Sequence, residues 1–323
     1  MKYHILTGTG AEVSRLCLGT MTFGAQADEA EAKRLVQRAL DAGINFFDTA
    51  DVYNEGAAET ILGKALKGHR DGVVVASKLR NPMGEHPRKD YGLSRWHVIH
   101  AVEASLKRLG IECLDILYFH QPDYNTPLEE SLSASDQLVR QGKVMYIGTS
   151  NHAAWQICKA LWLCDRDRLS APRVTQVVYN LLARGIEQEL LPFCRAHGIG
   201  MTVYNPLAAG LLTGKHSRAQ GPVQGSRLQL NQAYYQRYWS DANLDATAEL
   251  EEVAKRAGIK LVALAYRWLA AQEMVDAIVV GASRLEQLEE NLSLWDGELC
   301  ADTLEACDRV WAKLRGPSYP YNR

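Results

Sequence analysis

The chain has 323 residues, 47% of them hydrophobic and 23% charged, the proportions of an ordinary folded protein, which exclude collagen-like, disordered and disulfide-scaffold classes. Lys and Arg number 36 against 38 Asp and Glu, a formal net charge of -2, so no overall basic field exists to attract nucleic acid or anionic lipid, and neither is expected as a partner. The longest nearly apolar stretch, Leu261 to Ala271, carries Arg267 and is too short to cross a bilayer. Residues 1–14 mix Lys2, His4 and Thr7 with Gly/Thr turns, and a cytosolic location is expected. The seven Cys show no C-x-x-C spacing, so reduced, mostly buried thiols are expected rather than a disulfide framework or zinc site.

In chain order, Tyr3-His4-Ile5-Leu6 and a Thr-Gly-Thr-Gly turn predict a short hairpin. Short apolar, β-branched runs then alternate with longer amphipathic stretches. Strands are predicted at Leu16 to Gly19, Ile44 to Thr49, Val73 to Lys78, Leu114 to His120, Val144 to Ser150, Val174 to Asn180, Met201 to Asn205 and Ala277 to Gly281. Helical patterns between them cover Glu29 to Leu40, Ala57 to Leu66, Ser94 to Leu109, Pro127 to Arg140, Ala153 to Leu163, Gln188 to His197 and a longer region from Ala246 to Ala271. Gly43, Gly68, Gly110, Gly142, Gly198 and Gly258 follow helices where a left-handed cap belongs. Eight strand–helix repeats with strands apolar on both faces predict a single-domain α/β protein, a (β/α)8 TIM barrel over residues 1–323, its bottom plugged by the hairpin. Ala208 to Asn243 lacks strand periodicity and carries Tyr234, Tyr235, Tyr238 and Trp239. A loop that long is either functional or misassigned. Trp155 and Trp162 read as helix packing, and Glu249, Glu251, Glu252, Lys255 and Arg256 as a solvated, ion-paired helix face. His97 and His100 lack acidic or Cys partners nearby, and no metal site is expected.

In such a barrel, chemistry sits where strands end. Asp48 and Tyr53 follow the second strand, Lys78 ends the third and His120 ends the fourth. Each alone has a bland reading as cap, surface amine or core ring; together they make a coherent proton donor. A neighbouring ammonium favours the phenolate of a Tyr, Asp48 would hold that ammonium, and His120 could orient a carbonyl oxygen. The expected chemistry is carbonyl reduction, with hydride from a nicotinamide and a proton from Tyr53.

These residues belong to longer motifs: Gly43-Ile44-Asn45-Phe46-Phe47-Asp48-Thr49-Ala50-Asp51-Val52-Tyr53 with Glu59 and Gly63; Leu109-Gly110 through Leu114-Asp115 to His120 and Asp123; Gly148-Thr149-Ser150-Asn151; and Gly281-Ala282-Ser283-Arg284 to Gln287, Glu290 and Asn291. With them the whole chain resembles the aldo-keto reductase superfamily, which includes potassium-channel beta subunits. The resemblance implies a catalytic tetrad of Asp48, Tyr53, Lys78 and His120, NADPH as cofactor, a small-molecule carbonyl substrate, and cofactor contacts that include Thr20, Met21, Asp48 and Gly281.

No G-x-G-x-x-G follows a strand, and Gly210 to Lys215 misses the phosphate-loop spacing, so the nucleotide is expected across the strand ends. Ser150, Asn151 and Gln176 suit a carboxamide, and Tyr204 a nicotinamide face. Asn205-Pro206-Leu207 through Gly210, Leu211 and Lys215, with Arg227, suits a pyrophosphate. Ser283 and Arg284 at a helix start suit the additional phosphate of NADPH, and Gln287, Glu290 and Asn291 share a face for adenosine. Met21, Phe23, Arg80, Asn81, Tyr124, Trp239 and the tail Tyr319-Pro320-Tyr321 are candidate pocket groups, a mixture that admits sugar-derived, anionic or aromatic aldehydes alike. A cofactor-binding regulatory subunit with little turnover is the rival reading.

Overall fold

Strand and helix alternate along the computed structural model, which describes residues 1–86 and 89–317. The hairpin strands β1 (Tyr3–Ile5) and β2 (Glu12–Ser14) pair antiparallel. The strands β3 (Leu16–Gly19), β4 (Phe46–Asp48), β5 (Val74–Leu79), β6 (Leu114–Phe119), β7 (Val144–Ser150), β8 (Val174–Val178), β9 (Gly200–Tyr204) and β10 (Ala277–Gly281) close a barrel in the order β10-β3-β4-β5-β6-β7-β8-β9. Neighbours in the barrel pair in parallel, in a register that sets Asp48 opposite Ala76, Lys78 opposite Tyr118 and Ser150 opposite Gln176. A sheet that follows chain order is what strands joined by crossover helices require, and the fold is the expected (β/α)8 barrel.

Contact density divides the chain into two compact units. The first (Met1–Val177, Pro192–Thr202 and Asp276–Leu288) holds the hairpin, the barrel up to the last residues of β8 and β9, and the helices α1 (Glu29–Asp41), α2 (Ala57–Ala65), α3 (Arg95–Leu109), α4 (Leu128–Arg140) and α5 (Ala154–Asp167), with most of α6 (Leu190–His197). Asp28 and Ser94 cap α1 and α3 with their side chains. The second unit (Val178–Leu191, Val203–Val275 and 289–317) holds α7 (Arg227–Leu230), α8 (Gln232–Tyr238), α9 (Asp241–Arg256), α10 (Leu261–Ala270), much of α11 (Leu285–Leu294), and α12 (Ala301–Arg315).

The eight expected strands all form, with ends displaced by one or two residues at most. Ala246 to Ala271 is helical, parted at Gly258 (φ 68°), the cap position expected there, which ends α9 before Lys260 starts α10. Two other expectations fail. The stretch from Ala208 to Asn243 is not loop throughout: it folds as a 3-10 turn (Ala208–Thr213), α7, α8 and the start of α9. Trp155 and Trp162 do not pack; they are 61% and 58% exposed, since α5 buries the opposite face through Ile157, Ala160 and Leu163. The α9 acids and bases do form surface pairs, among them Lys255–Glu252 at 2.8 Å and Lys313–Glu249 at 2.6 Å.

The hairpin lies at the N-terminal ends of the strands. Asp276, just before β10, accepts from Thr7 Oγ1 (2.9 Å) and from the Met201 amide of β9 (2.6 Å), while Asn45, just before β4, accepts from the Ser14 amide. The cysteines are all free; Cys17, Cys164, Cys194 and Cys307 are buried, whereas Cys158 and Cys300 are exposed. Among the described residues no helix is long and apolar enough to cross a membrane.

Inside the barrel, the Tyr118 ring lies against Gly148, and its hydroxyl meets Thr202 Oγ1 at 3.2 Å. A Cβ on Gly148 would stand 2.5 Å from that ring, which is fully buried and has nowhere to swing. Gly148→Ala is therefore expected to lower the unfolding free energy by about 1–3 kcal/mol through overpacking, and the denaturant midpoint with it. An unchanged midpoint would show that Tyr118 can withdraw.

Candidate active site

Three successive strands bring their C-terminal ends to one place. Asp48 closes β4, Lys78 is next to last in β5, and His120 follows β6. Lys78 is 1% exposed. A buried ammonium must place all three of its protons, and Lys78 does so: Nζ donates to Asp48 Oδ1 in a short contact, to the Thr49 carbonyl (2.8 Å) and to the Tyr53 hydroxyl oxygen (3.4 Å). Burial works against the charge, but Asp48 and Tyr53 outweigh it and hold the Lys78 pKa above its ordinary value. Asp48 Oδ2 accepts from Gln176 Nε2 at 2.8 Å, so both carboxylate oxygens are engaged.

Tyr53 is half-buried and begins a tight turn in which Asn54 (φ 50°), Glu55 (φ 56°) and Gly56 (φ 86°) are all left-handed. Asn54 holds this strained geometry in place: its Nδ2 donates to the carbonyls of Met21 (3.2 Å) and Phe23 (2.6 Å). The His120 ring stands edge-on to Tyr53, centroids 5.9 Å apart. Asn81 Nδ2 lies 3.3 Å from His120 Nδ1; an amide nitrogen only donates, so Nδ1 accepts and the ring proton is on Nε2. Burial, with Lys78 and Arg80 nearby, lowers the His120 pKa to about 3, so the ring is a neutral donor at ordinary pH.

A second carboxyl pair lies behind the tetrad. Glu59, fully buried on α2, accepts from Ser77 Oγ and from Arg108 Nε (2.7 Å). Asp51 is also fully buried, and neither of its oxygens has a hydrogen-bond partner. Burial first, then the Glu59 charge, raises the Asp51 pKa to about 8. Sequence reasoning noted Asp51 and Glu59 only as parts of a motif and overlooked Asn54 and the role of Asn81. The run Asp48 to Gly56, with Asp48, Asp51 and an Asn-Glu-Gly turn, was the available signal.

Of the expected nicotinamide contacts, the first unit gathers Ser150, Asn151 and Gln176. Asn151, at φ 59°, donates from Nδ2 to Ser150 Oγ (3.1 Å) and the His120 carbonyl (3.0 Å), and its amide donates to the Gln176 carbonyl. Thr20 is spent on the Asp48 carbonyl, to which both its amide and its hydroxyl donate. Gly281 ends β10 opposite Gly19. At the start of α11, Ser283 donates through its amide (2.9 Å) and hydroxyl (3.1 Å) to Gln287 Oε1, and the Leu285 amide donates to Glu31 Oε1 (2.6 Å). A carboxylate thus already stands on the turn where sequence reasoning put a phosphate. Arg284 is exposed, Asn291 is buried, and Glu290 pairs with Lys260 at 3.0 Å.

In the second unit, the segment after Tyr204 is a tight cradle. Asn205 (φ 64°), Ala208 (49°), Ala209 (56°), Gly210 (98°) and Gly214 (73°) are left-handed, and the Ala208 and Gly210 amides donate within the turn, to the Asn205 and Leu207 carbonyls. Asn205 braces it, accepting from the Ala209 amide (2.7 Å) and donating to Tyr238 Oη (3.0 Å), which Asn180 also reaches. The side chain of Leu211 is core, so only its backbone can face a ligand; Pro206 and Leu207 lead into the turn. Lys215 is exposed beside the cradle, while the Arg227 guanidinium lies over the Tyr234 ring at 5.6 Å. Tyr204 is bonded by Arg237. Among the candidate pocket groups, Phe23 is fully buried core and cannot line a pocket; Met21 gives its carbonyl to Asn54; Tyr124 is 79% exposed; and Trp239 stacks on Tyr235. Tyr319, Pro320 and Tyr321 lie outside the described residues.

A carboxyl that keeps its proton to about pH 8 when folded, against 3.8 ordinarily, makes the folded state bind more protons than the unfolded one, so it costs stability as pH rises from about 4 to 8. Asp51→Asn removes that cost. Its gain in melting temperature is expected to be absent near pH 4, to grow with pH and to level off above 8; a gain independent of pH would mean that Asp51 is already ionised.

Residues 15–312 match the Aldo/keto reductase family. The chain is 39% identical over 303 residues to a probable voltage-gated potassium channel subunit beta of Arabidopsis thaliana, covering 92% of each chain. The corresponding protein of Oryza sativa subsp. japonica is 39% identical with the same coverage. An uncharacterized oxidoreductase of Bacillus subtilis, YrpG, is 36% identical, with 96% of each chain covered. With its barrel, its Asp–Lys–Tyr arrangement around a buried ammonium and these matches, the chain belongs to the aldo/keto reductase family.

Proposed function

We propose that this protein reduces an aldehyde or ketone to the alcohol with NADPH, Tyr53 supplying the proton. The observation that carries the reading is the buried Lys78 ammonium, directed at once to Asp48, the Thr49 carbonyl and the Tyr53 oxygen. NADPH, when bound, supplies the hydride for the carbonyl carbon. The residues present suit it: in the first unit, the Ser150, Asn151 and Gln176 hydroxyl and amides would hold the carboxamide, and in the second unit Lys215, beside the turn from Asn205 to Gly214, suits a phosphate.

The Tyr53 O–H bond breaks as the new alcohol O–H forms, leaving a phenoxide 3.4 Å from Lys78 Nζ. The ammonium stabilises that developing charge, and Asp48 keeps the ammonium charged and aimed. His120, neutral and with its proton on Nε2, donates to the carbonyl oxygen and orients it. Arg80, whose charge helps lower the His120 pKa, and Asn81 make the surroundings cationic and polar. They favour a sugar-derived or other small polar aldehyde. Free thiols, four of the seven buried, fit the reducing cytosol.

Tyr53→Phe should lower the rate of NADPH oxidation with small aldehydes about 10²- to 10⁴-fold while leaving the NADPH Kd, read by fluorescence, unchanged. A variant that keeps most of its turnover would take the proton from another group. The two channel-subunit relatives favour a second reading, an NADP(H)-binding regulatory subunit, and cofactor binding without turnover across sugar, aromatic and phosphorylated aldehydes would favour it over the first. Arg284→Ala should weaken NADPH more than NADH. Glu31→Gln, which removes a carboxylate from the same turn, should do the reverse, and equal effects on both nucleotides would place the 2′-phosphate elsewhere.

A further inference from the structure

We infer that His216 is a phosphate-binding residue, its Nε2–H donating to a phosphoryl oxygen seated against Gly210 beside Lys215. This rests on the dinucleotide reading above and adds to it a side chain whose own partners point to an anion. The Val223 amide donates to His216 Nδ1 at 3.1 Å, so the proton of the neutral ring must be on Nε2. That Nε2–H is enclosed and has no acceptor. The ring cannot turn to find one: its other nitrogen is held by Val223, and its edge meets Trp239, centroids 6.1 Å apart at 85°, with Trp239 in turn stacked on Tyr235.

The orphan donor has a definite direction. A Cβ on Gly210 would stand 3.5 Å from His216 Nε2 and 3.8 Å from Lys215 Nζ. Gly210, at φ 98°, therefore leaves bare a small volume faced by a ring N–H and an ammonium, within the turn from Asn205 to Gly214. Two donors converging on one space are arranged for an oxyanion, and an enclosed donor without an acceptor is costly until one arrives. Burial and the Lys215 charge lower the His216 pKa to about 4, so the ring acts by donation rather than by charge.

The test is calorimetric titration of the wild type, His216→Phe and His216→Gln with NADP⁺, with adenosine 2′-monophosphate, which lacks the diphosphate, and with inorganic pyrophosphate. Loss of a hydrogen bond to a charged group should weaken NADP⁺ about ten- to hundredfold in the Phe variant. Gln, which retains an amide donor, should recover most of the loss, and adenosine 2′-monophosphate should bind all three proteins equally, which also shows that they are folded. Unchanged NADP⁺ affinity in the Phe variant overturns the inference, as does an equal loss with adenosine 2′-monophosphate. If the wild type binds no NADP⁺, the dinucleotide reading fails and pyrophosphate decides the inference alone: binding that the Phe variant loses supports it. Binding that persists in that variant, or none to the wild type, overturns it.

Discussion

A lysine ammonium with 1% exposure is the constraint around which the first unit is organised. Taking such a charge out of water costs several kcal/mol, and a single counter-ion seldom makes that good. Here the remaining protons are also placed, on a backbone carbonyl and on a phenol. The arrangement depends on strand register: with Asp48 level with Ala76, Lys78 lies two residues farther along the adjacent strand, within reach of the carboxylate. Buried ion pairs are poor sources of stability compared with apolar packing. This one makes sense as the means of holding a positive charge against a hydroxyl.

The groups around it are graded in charge. Lys78 is held charged by Asp48 and Tyr53, His120 is neutral because burial, Lys78 and Arg80 disfavour a second cation, and Asp51 is protonated because burial and Glu59 disfavour a further anion. Each acid or base is set by its neighbours rather than by its own type. The same logic explains the strained turn from Tyr53 to Gly56. Three left-handed residues in succession are unfavourable, and the two Asn54 hydrogen bonds to the Met21 and Phe23 carbonyls hold them, fixing where the phenol stands.

The second unit addresses a different problem, a backbone concavity that must keep its shape. Asn205, Asn180 and Tyr238 brace it through hydrogen bonds, while Trp239, Tyr235 and the ring of His216 pack as a ladder alongside. Aromatic rings with few rotatable bonds lose little entropy in such a role. This is why the Gly- and Gln-rich stretch that lacks any strand pattern nevertheless folds into a defined turn and two short helices.

Period and composition determined the barrel, because strands buried on both faces must be apolar throughout and helices between them must be amphipathic; these are local properties, visible residue by residue. The types and order of the strand-end groups Asp48, Tyr53, Lys78 and His120 were legible for the same reason, since in a barrel the end of every strand faces one rim. Which face of a helix is buried was less so: α5 hides the exposure of Trp155 and Trp162 because two faces of one helix can both carry apolar residues. What tertiary structure alone decided is which partner each polar atom takes. That Thr20 serves the Asp48 carbonyl, that Glu31 reaches the first turn of α11 and that His216 is left with an unanswered proton all depend on residues far apart in the chain, whose distances no spacing encodes.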